Sequence, residues 1–360
     1  MNSKPSSARR ILVVGPSWVG DMVMAQSLFL ALKAQSPDVQ IDVLAPAWSR
    51  PLLDRMPQID QAIDLPFAHG ELGMRRRYKL GRELRSRQYD QAILLPNSFK
   101  SALVPCFAGI PLRTGWRGEM RSWILNDCRV LDAEQLPLMV QRFLALALPA
   151  NAELPAALPE PIPVPQLQSD PVRVAAAMQT FELSHSPAIL ALCPGAEFGD
   201  AKQWPAQHYA AVAAEHLSAG GQVWLFGSAN DRPVTDDIVA QIPAADPSRC
   251  HNLAGRTSLA QAIDLLSVAG AVVSNDSGLM HIAAALHRPL VAVYGPTSAA
   301  FTPPLTDRVE LLSTDIECRP CFKRRCPYGH KRCLTELSPL RVIKALQRLS
   351  RPLLADTMMS

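Results

Sequence analysis

The stretch Ile11 to Ala25, ILVVGPSWVGDMVMA, is the clearest indication of the fold class. An apolar run of strand type is followed by a glycine-bounded turn and then by a helical pattern, which is how α/β nucleotide-binding domains begin. Gly15 and Gly20 bound the turn, but Asp21 follows where a phosphate-binding P-loop carries Lys and then Ser or Thr. The stretch therefore predicts a strand-turn-helix unit with an acid at the carboxyl end of its first strand and a helix from about Met22 to Ala34.

The same alternation of strand-like and helical stretches continues on both sides of a proline-rich segment. The strand-like runs cover 11–14, 41–46 and 91–97 before that segment and 188–195, 222–227, 271–276 and 289–295 after it. Such alternation predicts parallel sheets covered by helices. The segment itself, residues 149–171, contains seven prolines, too many for a helix or a central strand. We therefore place the domain boundary there.

Length and composition exclude several classes of protein. A chain of 360 residues with 48% hydrophobic and 19% charged residues suits two well-packed domains. The net charge of +4 is too small for a nucleic-acid binder, and no window holds the 18 uninterrupted apolar residues of a membrane span. The first ten residues lack the apolar core of a signal peptide, so we expect a cytoplasmic protein with reduced cysteines.

One segment, residues 75–87, concentrates positive charge, with seven basic residues and one acid. It is either a solvated helix face or a surface attracted to anionic lipid headgroups or a phosphorylated substrate.

The most informative stretch is SNDSGLMHIAAAL, Ser274 to Leu286. A buried strand brings Asp276 to its carboxyl end, Ser277 and Gly278 allow close backbone approach, and the helix that follows directs free N–H groups at an anion. His281 lies in the first turn and could add a donor. The alternative is that Ser277 caps the helix and His281 is a core residue.

A second loop points to the same chemistry. CPGAEFGDAKQWP, Cys193 to Pro205, again follows a strand, and its Lys202 could neutralise a diphosphate. The small residues of 225–231 and 252–263 could admit a base and a ribose. Together these stretches predict a diphosphate-nucleotide site in the second half of the chain.

Three motifs, GPSWVGDMVMAQ, CPGAEFGDAKQWP and SNDSGLMHIAAALHRPLVAVYGPT, occur in this order. In that order they resemble the ADP-heptose:lipopolysaccharide heptosyltransferases of glycosyltransferase family 9, over nearly the whole chain. The first motif and residues 94–121 are most similar to the members that add the second heptose of the inner core, the heptosyltransferase II type.

The resemblance implies a GT-B fold, in which two Rossmann-like domains with parallel sheets face a central cleft. It implies an acceptor-binding domain over 1–160, an ADP-heptose-binding domain over 161–340, and a C-terminal helix and tail over 341–360 that packs back on the N-terminal domain. It also implies inverting transfer of heptose without a metal or cofactor. The partners would be ADP-heptose, a lipid A-linked inner-core acceptor and the anionic inner face of the inner membrane.

The resemblance further assigns site residues. Asp21 corresponds to the general base, and Lys202 stabilises the leaving diphosphate. The residues expected at the donor are Gly195, Ala196, Glu197, Lys202, Gly227, Ser228, Thr257, Asp276, Ser277, Gly278 and His281. The residues expected at the acceptor are Gly20, Asn97, Ser98, Lys100, Arg113, Arg117 and Arg121.

Several alternatives stay open at this stage. Asp21 could cap its helix, the arginines could pair with Glu119 and Asp127, and either Asn230 or Asp231 could contact the ribose. The activity could instead be that of the first-heptose enzyme, a GT-B sugar-nucleotide epimerase or a nucleotide-sugar sensor without catalysis.

The segment at 317–333, ECRPCFKRRCPYGHKRC, has the spacing C-x2-C-x4-C-x6-C and includes His330. Zinc ligands usually form two close pairs in the sequence, whereas this segment contains one such pair, Cys318 and Cys321. We predict a structural loop with reduced thiols and no metal.

Overall fold

The computed structural model describes residues 8–67, 71–185, 188–243 and 248–350. The chain divides into two compact units, Met1–Pro165 and Gln166–Ser360. The division lies inside the proline-rich segment, whose two ends are held by different units. The Ser27 hydroxyl donates to the carbonyl of Pro163 at 2.6 Å in the first unit, and the Leu167 N–H donates to the carbonyl of Ala285 at 2.9 Å in the second.

The first unit is a six-stranded sheet in which every paired strand is parallel to its neighbour. Its strands are β1 Arg10–Val14, β2 Gln40–Pro46, β3 Gln61–Leu65, β4 Gln91–Leu94, β5 Leu112–Trp116 and β6 Asp127–Arg129. Its α-helices are α1 Val19–Gln35, α2 Arg50–Leu53, α3 Met74–Leu84, α4 Leu103–Phe107 and α5 Met139–Ala145. Short 3₁₀ turns cover Ala47–Ser49, Arg85–Arg87 and Phe99–Ala102.

The second unit is another six-stranded parallel sheet. Its strands are β7 Ile189–Cys193, β8 Gln222–Leu225, β9 Cys250–Asn252, β10 Ala271–Asn275, β11 Leu290–Tyr294 and β12 Val309–Ser313. Its α-helices are α6 Pro171–Thr180, α7 Ala206–Ser218, α8 Arg232–Ala240, α9 Leu259–Leu266, α10 Gly278–Ala285, α11 Arg332–Thr335 and α12 Pro339–Leu349. The 3₁₀ turns are Asp200–Lys202 and Ala229–Asp231.

Both sheets have the same strand order. The first reads β3-β2-β1-β4-β5-β6, and the second, read from its other edge, is β9-β8-β7-β10-β11-β12. This is the Rossmann order 3-2-1-4-5-6, in which the direction of winding reverses between the first and fourth strands. Ligands of such sheets bind at that switch point, outside the carboxyl ends of the strands. The switch points here are β1/β4 and β7/β10, which confirms the predicted α/β class with two Rossmann-like units.

The cores explain why the central strands were recognisable from the sequence. Every residue of β4, β7, β8 and β11 is buried. Strands buried on both faces need apolar side chains at nearly every position, so they stand out in the sequence as continuous apolar runs. The five strands that the sequence did not indicate are β3, β5, β6, β9 and β12, each of which has residues that are exposed or only partly buried. Partial exposure interrupts the apolar run on which a prediction depends.

Helix α1 begins earlier than predicted. Trp18, in an extended conformation, is its N-cap, and the N–H of Met22 donates to the Trp18 carbonyl at 2.9 Å. The helix therefore starts at Val19, three residues before the predicted Met22, and Asp21 lies in its first turn rather than at the cap position. An acid there is favoured by the positive end of the helix dipole.

Helix α12 belongs to the second unit, and the expectation that the C-terminal helix and tail pack back on the N-terminal domain stays a prediction. The helix packs on α7, β11 and β12 of its own unit, because its apolar face, which includes Val342 and Ala345, joins the core of that unit. The tail after Ser350 lies outside the described residues. Within the described ranges, no helix is long and apolar enough to cross a membrane.

Candidate active site

The second unit brings two predicted loops together at its switch point. β7 is followed by the loop that carries Lys202, and the neighbouring β10 is followed by Asp276. The buried amide of Asn275 ties these loops to each other. It donates to the carbonyl of Pro194 at 2.6 Å and accepts from the Tyr209 hydroxyl at 3.0 Å. Sequence reasoning missed Asn275, although an amide at the end of a buried apolar strand is a signal that could have identified it.

Lys202 and Asp276 form an ion pair across this switch point. The Nζ of Lys202 lies 2.7 Å from the Oδ2 of Asp276, and the two side chains are 14% and 6% exposed. The Lys202 ammonium also lies 4.8 Å from the centre of the Phe198 ring. The pairing leaves further N–H donors on the ammonium for an anion. Lys202, the predicted cation, and Asp276, the predicted acid, therefore lie at the same site and pair with each other.

The N-terminus of α10 lies beside this pair, and it is not capped by a side chain. Ser277 occupies the N-cap position without a side-chain cap hydrogen bond, and its Oγ lies 3.1 Å from the Oγ of Ser274. The alternative that Ser277 caps the helix through its hydroxyl is therefore wrong. The first N–H groups of the helix, from Gly278 onward, lack a serine hydroxyl as acceptor and could bind a phosphate.

His281 lies in the first turn of α10 and is buried. Burial lowers its pKa to about 4, an effect that Lys202 reinforces and Asp276 opposes. At neutral pH the imidazole is uncharged, so it can offer a phosphate a hydrogen bond but no positive charge.

The loops after β8 and β9 pack against this region. A Cβ on Gly195 would come within 2.6 Å of the Oδ2 of Asp231, and one on Gly227 within 2.7 Å of its Cβ, so a side chain at either position would displace Asp231. The Asp231 carboxylate accepts from the N–H and the hydroxyl of Ser228, both at 2.8 Å. Asp231 is thus engaged in closing its own loop, whereas Asn230 is exposed.

The other predicted donor residues occupy the same edge. Ala196 and Glu197 lie in the loop after β7, where Glu197 is exposed. Thr257 follows β9, and its hydroxyl lies 3.4 Å from the carbonyl of Leu253. The N–H of Gly255 donates to the carbonyl of Gly227 at 3.0 Å, which joins the loops after β8 and β9.

In the first unit, the predicted base and part of the predicted acceptor set meet at the other switch point. β1 and β4 are paired neighbours, with Val14 opposite Leu94. The chain leaving β1 leads to Gly20 and Asp21, and the chain leaving β4 leads to Asn97, Ser98 and Lys100. Asp21 is half-buried, so its carboxylate remains accessible to the hydroxyl group of a ligand that binds from solvent.

Two of the three predicted acceptor arginines donate to main-chain carbonyls of their own unit. Arg121 is fully buried, and its guanidinium donates to the carbonyls of Pro96 at 2.5 Å and Trp116 at 2.8 Å and to the Oδ1 of Asn97 at 3.1 Å. Burial lowers its pKa to about 10. Its Nη1 and Nη2 groups hold the loop after β4 to the end of β5, whereas its buried Nε has no hydrogen-bond partner among the described residues. The predicted contact of Arg121 with the acceptor stays a prediction.

Arg113 lies at the start of β5, the sheet edge opposite to the ligand-binding edge. It donates to the carbonyls of Ile124 at 2.8 Å and Ile110 at 2.5 Å, and its predicted acceptor contact stays a prediction. Arg117 directly follows β5 and is exposed, and within the described residues its side chain forms no hydrogen bond or ion pair.

Among the described residues, these arginines form no ion pair with Glu119 or Asp127. Asp127 pairs instead with Arg129 at 2.7 Å, and Glu119 accepts from the N–H of Phe99 at 2.7 Å.

The cysteine-rich segment forms a small cavity lined by Cys318, Cys321, Cys326 and Cys333. These cysteines are free thiols. In the ranges that the structure covers, no group of three or more His, Cys, Asp or Glu side chains could hold a metal ion.

Comparisons with known proteins agree with this geometry. The family model for glycosyltransferase family 9 (heptosyltransferase) matches residues 77–332. The chain is 50% identical over 341 residues to lipopolysaccharide heptosyltransferase 2 of Escherichia coli (strain K12), covering 94% of this chain and 98% of that protein. It is 46% identical to lipooligosaccharide heptosyltransferase 2 of Haemophilus influenzae, covering 94% of this chain and 99% of that protein.

The solved structures include one of high similarity. The structure of E. coli ADP-heptose LPS heptosyltransferase II matches with a TM-score of 0.86 and 48% identity, covering 95% of this chain and 98% of that one. Two Rossmann-like units, the expected loops at both switch points and these relatives lead to one conclusion. The chain belongs to glycosyltransferase family 9, the heptosyltransferases.

Proposed function

We propose that this glycosyltransferase transfers L-glycero-D-manno-heptose from ADP-heptose to the first heptose of the lipopolysaccharide inner core. Transfer inverts the anomeric centre and requires no metal. The observation that carries the proposal is the Lys202–Asp276 pair beside the uncapped start of α10, in a chain whose relatives of 46% and 50% identity bear the name heptosyltransferase 2.

The donor site is proposed for the second unit because its switch point presents what a sugar diphosphate needs. The Lys202 ammonium, the first N–H groups of α10 and the neutral imidazole of His281 act on the diphosphate. Negative charge grows on that group as the bond to the sugar breaks, and fixed donors stabilise it without reorganisation. Asp276 accepts hydrogen bonds from the sugar hydroxyls, since a carboxylate would repel phosphate.

Asp21 is proposed as the general base. The attacking hydroxyl of the acceptor must lose its proton as the new bond forms, and a carboxylate in place for that transfer typically contributes about 100-fold to 10,000-fold. Asp21 lies at the switch point of the first unit, beside the chain that carries Asn97, Ser98 and Lys100. Of the predicted arginines, the exposed Arg117 is the one that we retain for the acceptor's phosphate or carboxylate groups.

We further propose a cytoplasmic location with peripheral contact to the anionic inner face of the inner membrane. Helix α3 and the 3₁₀ turn after it expose five basic side chains, which are Arg75, Arg76, Lys79, Arg82 and Arg85. Met74 and Tyr78 on the same helix and Leu72 just before it are also exposed, at 42%, 52% and 49%. Cations beside exposed apolar groups are typical of a surface that binds anionic lipid.

The function is tested by ADP release from ADP-heptose with two acceptors, heptose-Kdo2-lipid A and Kdo2-lipid A. Turnover with the first acceptor alone is the expected result. Turnover with the second alone would assign the first-heptose step, and release with neither would contradict the transferase proposal. Reactions with and without a chelator test metal independence, and the anomeric configuration of the product, read by NMR, tests inversion.

The membrane surface is tested by sedimentation with vesicles that contain anionic lipid and with purely zwitterionic vesicles. We expect salt-sensitive binding to the anionic vesicles and its loss when Arg75, Lys79 and Arg82 are changed to Gln. The control variant changes Arg173, Arg341 and Lys344 to Gln, which removes the same charge from exposed positions on α6 and α12. Equal loss in both variants would show that only net charge matters.

A further inference from the structure

The cysteine-rich segment contacts the loop after β11 through Arg319, a residue that the proposed function leaves unused. Its guanidinium donates to three main-chain carbonyls. Nε reaches Gly295 at 3.0 Å, Nη1 reaches Thr314 at 3.0 Å and Nη2 reaches Thr297 at 3.2 Å. A guanidinium carries five N–H donors in a rigid plane. When these groups donate to main-chain carbonyls, they hold the backbone segments that carry those carbonyls in defined positions.

The loop that Arg319 holds follows β11, the neighbour of β10 in the sheet. All three carbonyls of 295–297 accept hydrogen bonds from the cysteine-rich segment, since the N–H groups of Cys321 and Phe322 donate to Pro296 at 3.0 and 2.9 Å. The hydroxyl of Thr297 is buried without a hydrogen-bond partner among the described residues. The loop therefore owes its conformation to contacts with this segment.

The same segment also holds the loop that carries Lys202. The N–H of Ala201 donates to the carbonyl of Arg324 at 3.2 Å, and Lys331 pairs with Asp200 at 2.7 Å. A Cβ on Gly199, whose φ is +153°, would lie 2.4 Å from the Arg324 carbonyl. The glycine is thus required for this close approach.

The contact extends to the ring that lies beside Lys202. The Arg324 guanidinium lies 5.4 Å from the centre of the Phe198 ring, and the Lys202 ammonium lies 4.8 Å from the same centre. One segment thus touches the loop after β11 and the loop after β7, on either side of the Asp276 strand end.

We propose that Arg319 is a positioning residue for the donor site, which anchors the cysteine-rich segment so that it holds the Lys202 loop in the geometry that binds the diphosphate. This inference rests on the proposed donor site. It gives the segment a role that needs neither a metal nor a disulfide, and it separates Arg319, which acts through the backbone, from Lys202, which acts on the ligand.

The test measures ADP affinity by calorimetry for the full chain and for Arg319→Ala, with Arg319→Lys as the conservative variant. Residues that act on a site through intervening groups typically change its affinity by about 2-fold to 30-fold. We expect Arg319→Ala to weaken ADP binding within that range. Arg319→Lys should restore part of the affinity, because an ammonium replaces some but not all of the three hydrogen bonds. Lys323→Ala, which removes an exposed cation from the same segment, should have no effect.

Thermal unfolding separates positioning from a purely structural role. All affinities are measured at least about 15 °C below the Tm of the least stable variant, a margin chosen to exceed the typical shift for a ΔΔG of 1 kcal/mol. A lowered Tm with unchanged ADP affinity in Arg319→Ala would overturn the inference. If Arg319→Ala does not fold, the affinity of Arg319→Lys decides in the same way. Failure of the unmodified chain to bind ADP would instead remove the proposed donor site, and with it this role of Arg319.

Discussion

The Lys202–Asp276 pair allows stability and ligand binding to be separated by substitution. Lys202→Met keeps the length of the side chain and removes the ammonium. It leaves the Asp276 carboxylate, which is 6% exposed, without the cation that lies 2.7 Å away. Loss of one partner from a buried pair typically costs 3–5 kcal/mol. Because Lys202 retains 14% exposure, we expect the lower end, about 3 kcal/mol of unfolding free energy.

The same substitution should weaken ADP binding. A hydrogen bond from a charged donor contributes about 1.5–3 kcal/mol, which corresponds to roughly a 10-fold to 150-fold increase in the Kd for ADP. Taken alone, this result would be ambiguous, because a destabilised loop could also bind ADP poorly.

The double variant Lys202→Met with Asp276→Asn removes the ambiguity. Asn removes the unpaired buried charge, so most of the stability should return. ADP affinity should stay low, because the diphosphate still lacks its cation. Asp276→Asn alone should keep the ADP affinity, since ADP carries no heptose for Asp276 to bind.

The measurements are urea unfolding and calorimetric titration with ADP in one buffer. Lys344→Met, which removes an exposed cation on α12, is the matched control and should change neither quantity appreciably. If the double variant regains ADP affinity together with stability, Lys202 serves only as a partner for Asp276 and the reasoning is refuted.

Three further results are expected. Asp21→Asn should lower turnover by about 100-fold to 10,000-fold and leave the Kd for ADP within about twofold; retained turnover would remove Asp21 as the base, and Asp38→Asn is the exposed control. His281 has a pKa of about 4 in the fold against 6.5 when unfolded, so its contribution to stability is complete above pH 6.5 and falls as pH drops toward 4. Relative to His281→Gln, the unmodified chain should lose up to about 3 kcal/mol over that interval, and parallel stability curves would contradict the assignment. Arg121→Met should cost about 2–4 kcal/mol in urea unfolding, because it leaves buried carbonyls without donors. Arg117→Met should cost less than about 0.5 kcal/mol, and equal losses would mean that the buried hydrogen bonds contribute nothing.

The class of fold and the positions of the main site loops follow from the amino-acid sequence alone. Buried central strands are continuous apolar runs, and in a parallel sheet the residue after such a run lies at the ligand-binding edge. Asp276, Lys202 and Asp21 were therefore locatable as residues that follow strands. Edge strands such as β3 and β6 were not, because their partial exposure leaves no continuous pattern.

Which of these polar residues contact each other depends on the folded arrangement of distant segments. Lys202 and Asp276 are 74 positions apart, and nothing in their local sequences indicates that they pair. Arg121 resembles an acceptor-binding arginine in sequence, yet it is buried among carbonyls of the loops after β4 and β5. Arg319 lies in the segment that the sequence predicts to be a structural loop, and only the fold shows that its guanidinium holds the backbone after β11. The physical reason is that local sequence sets strand and helix, whereas the partners of a long cation depend on which chain segments the fold brings within its reach.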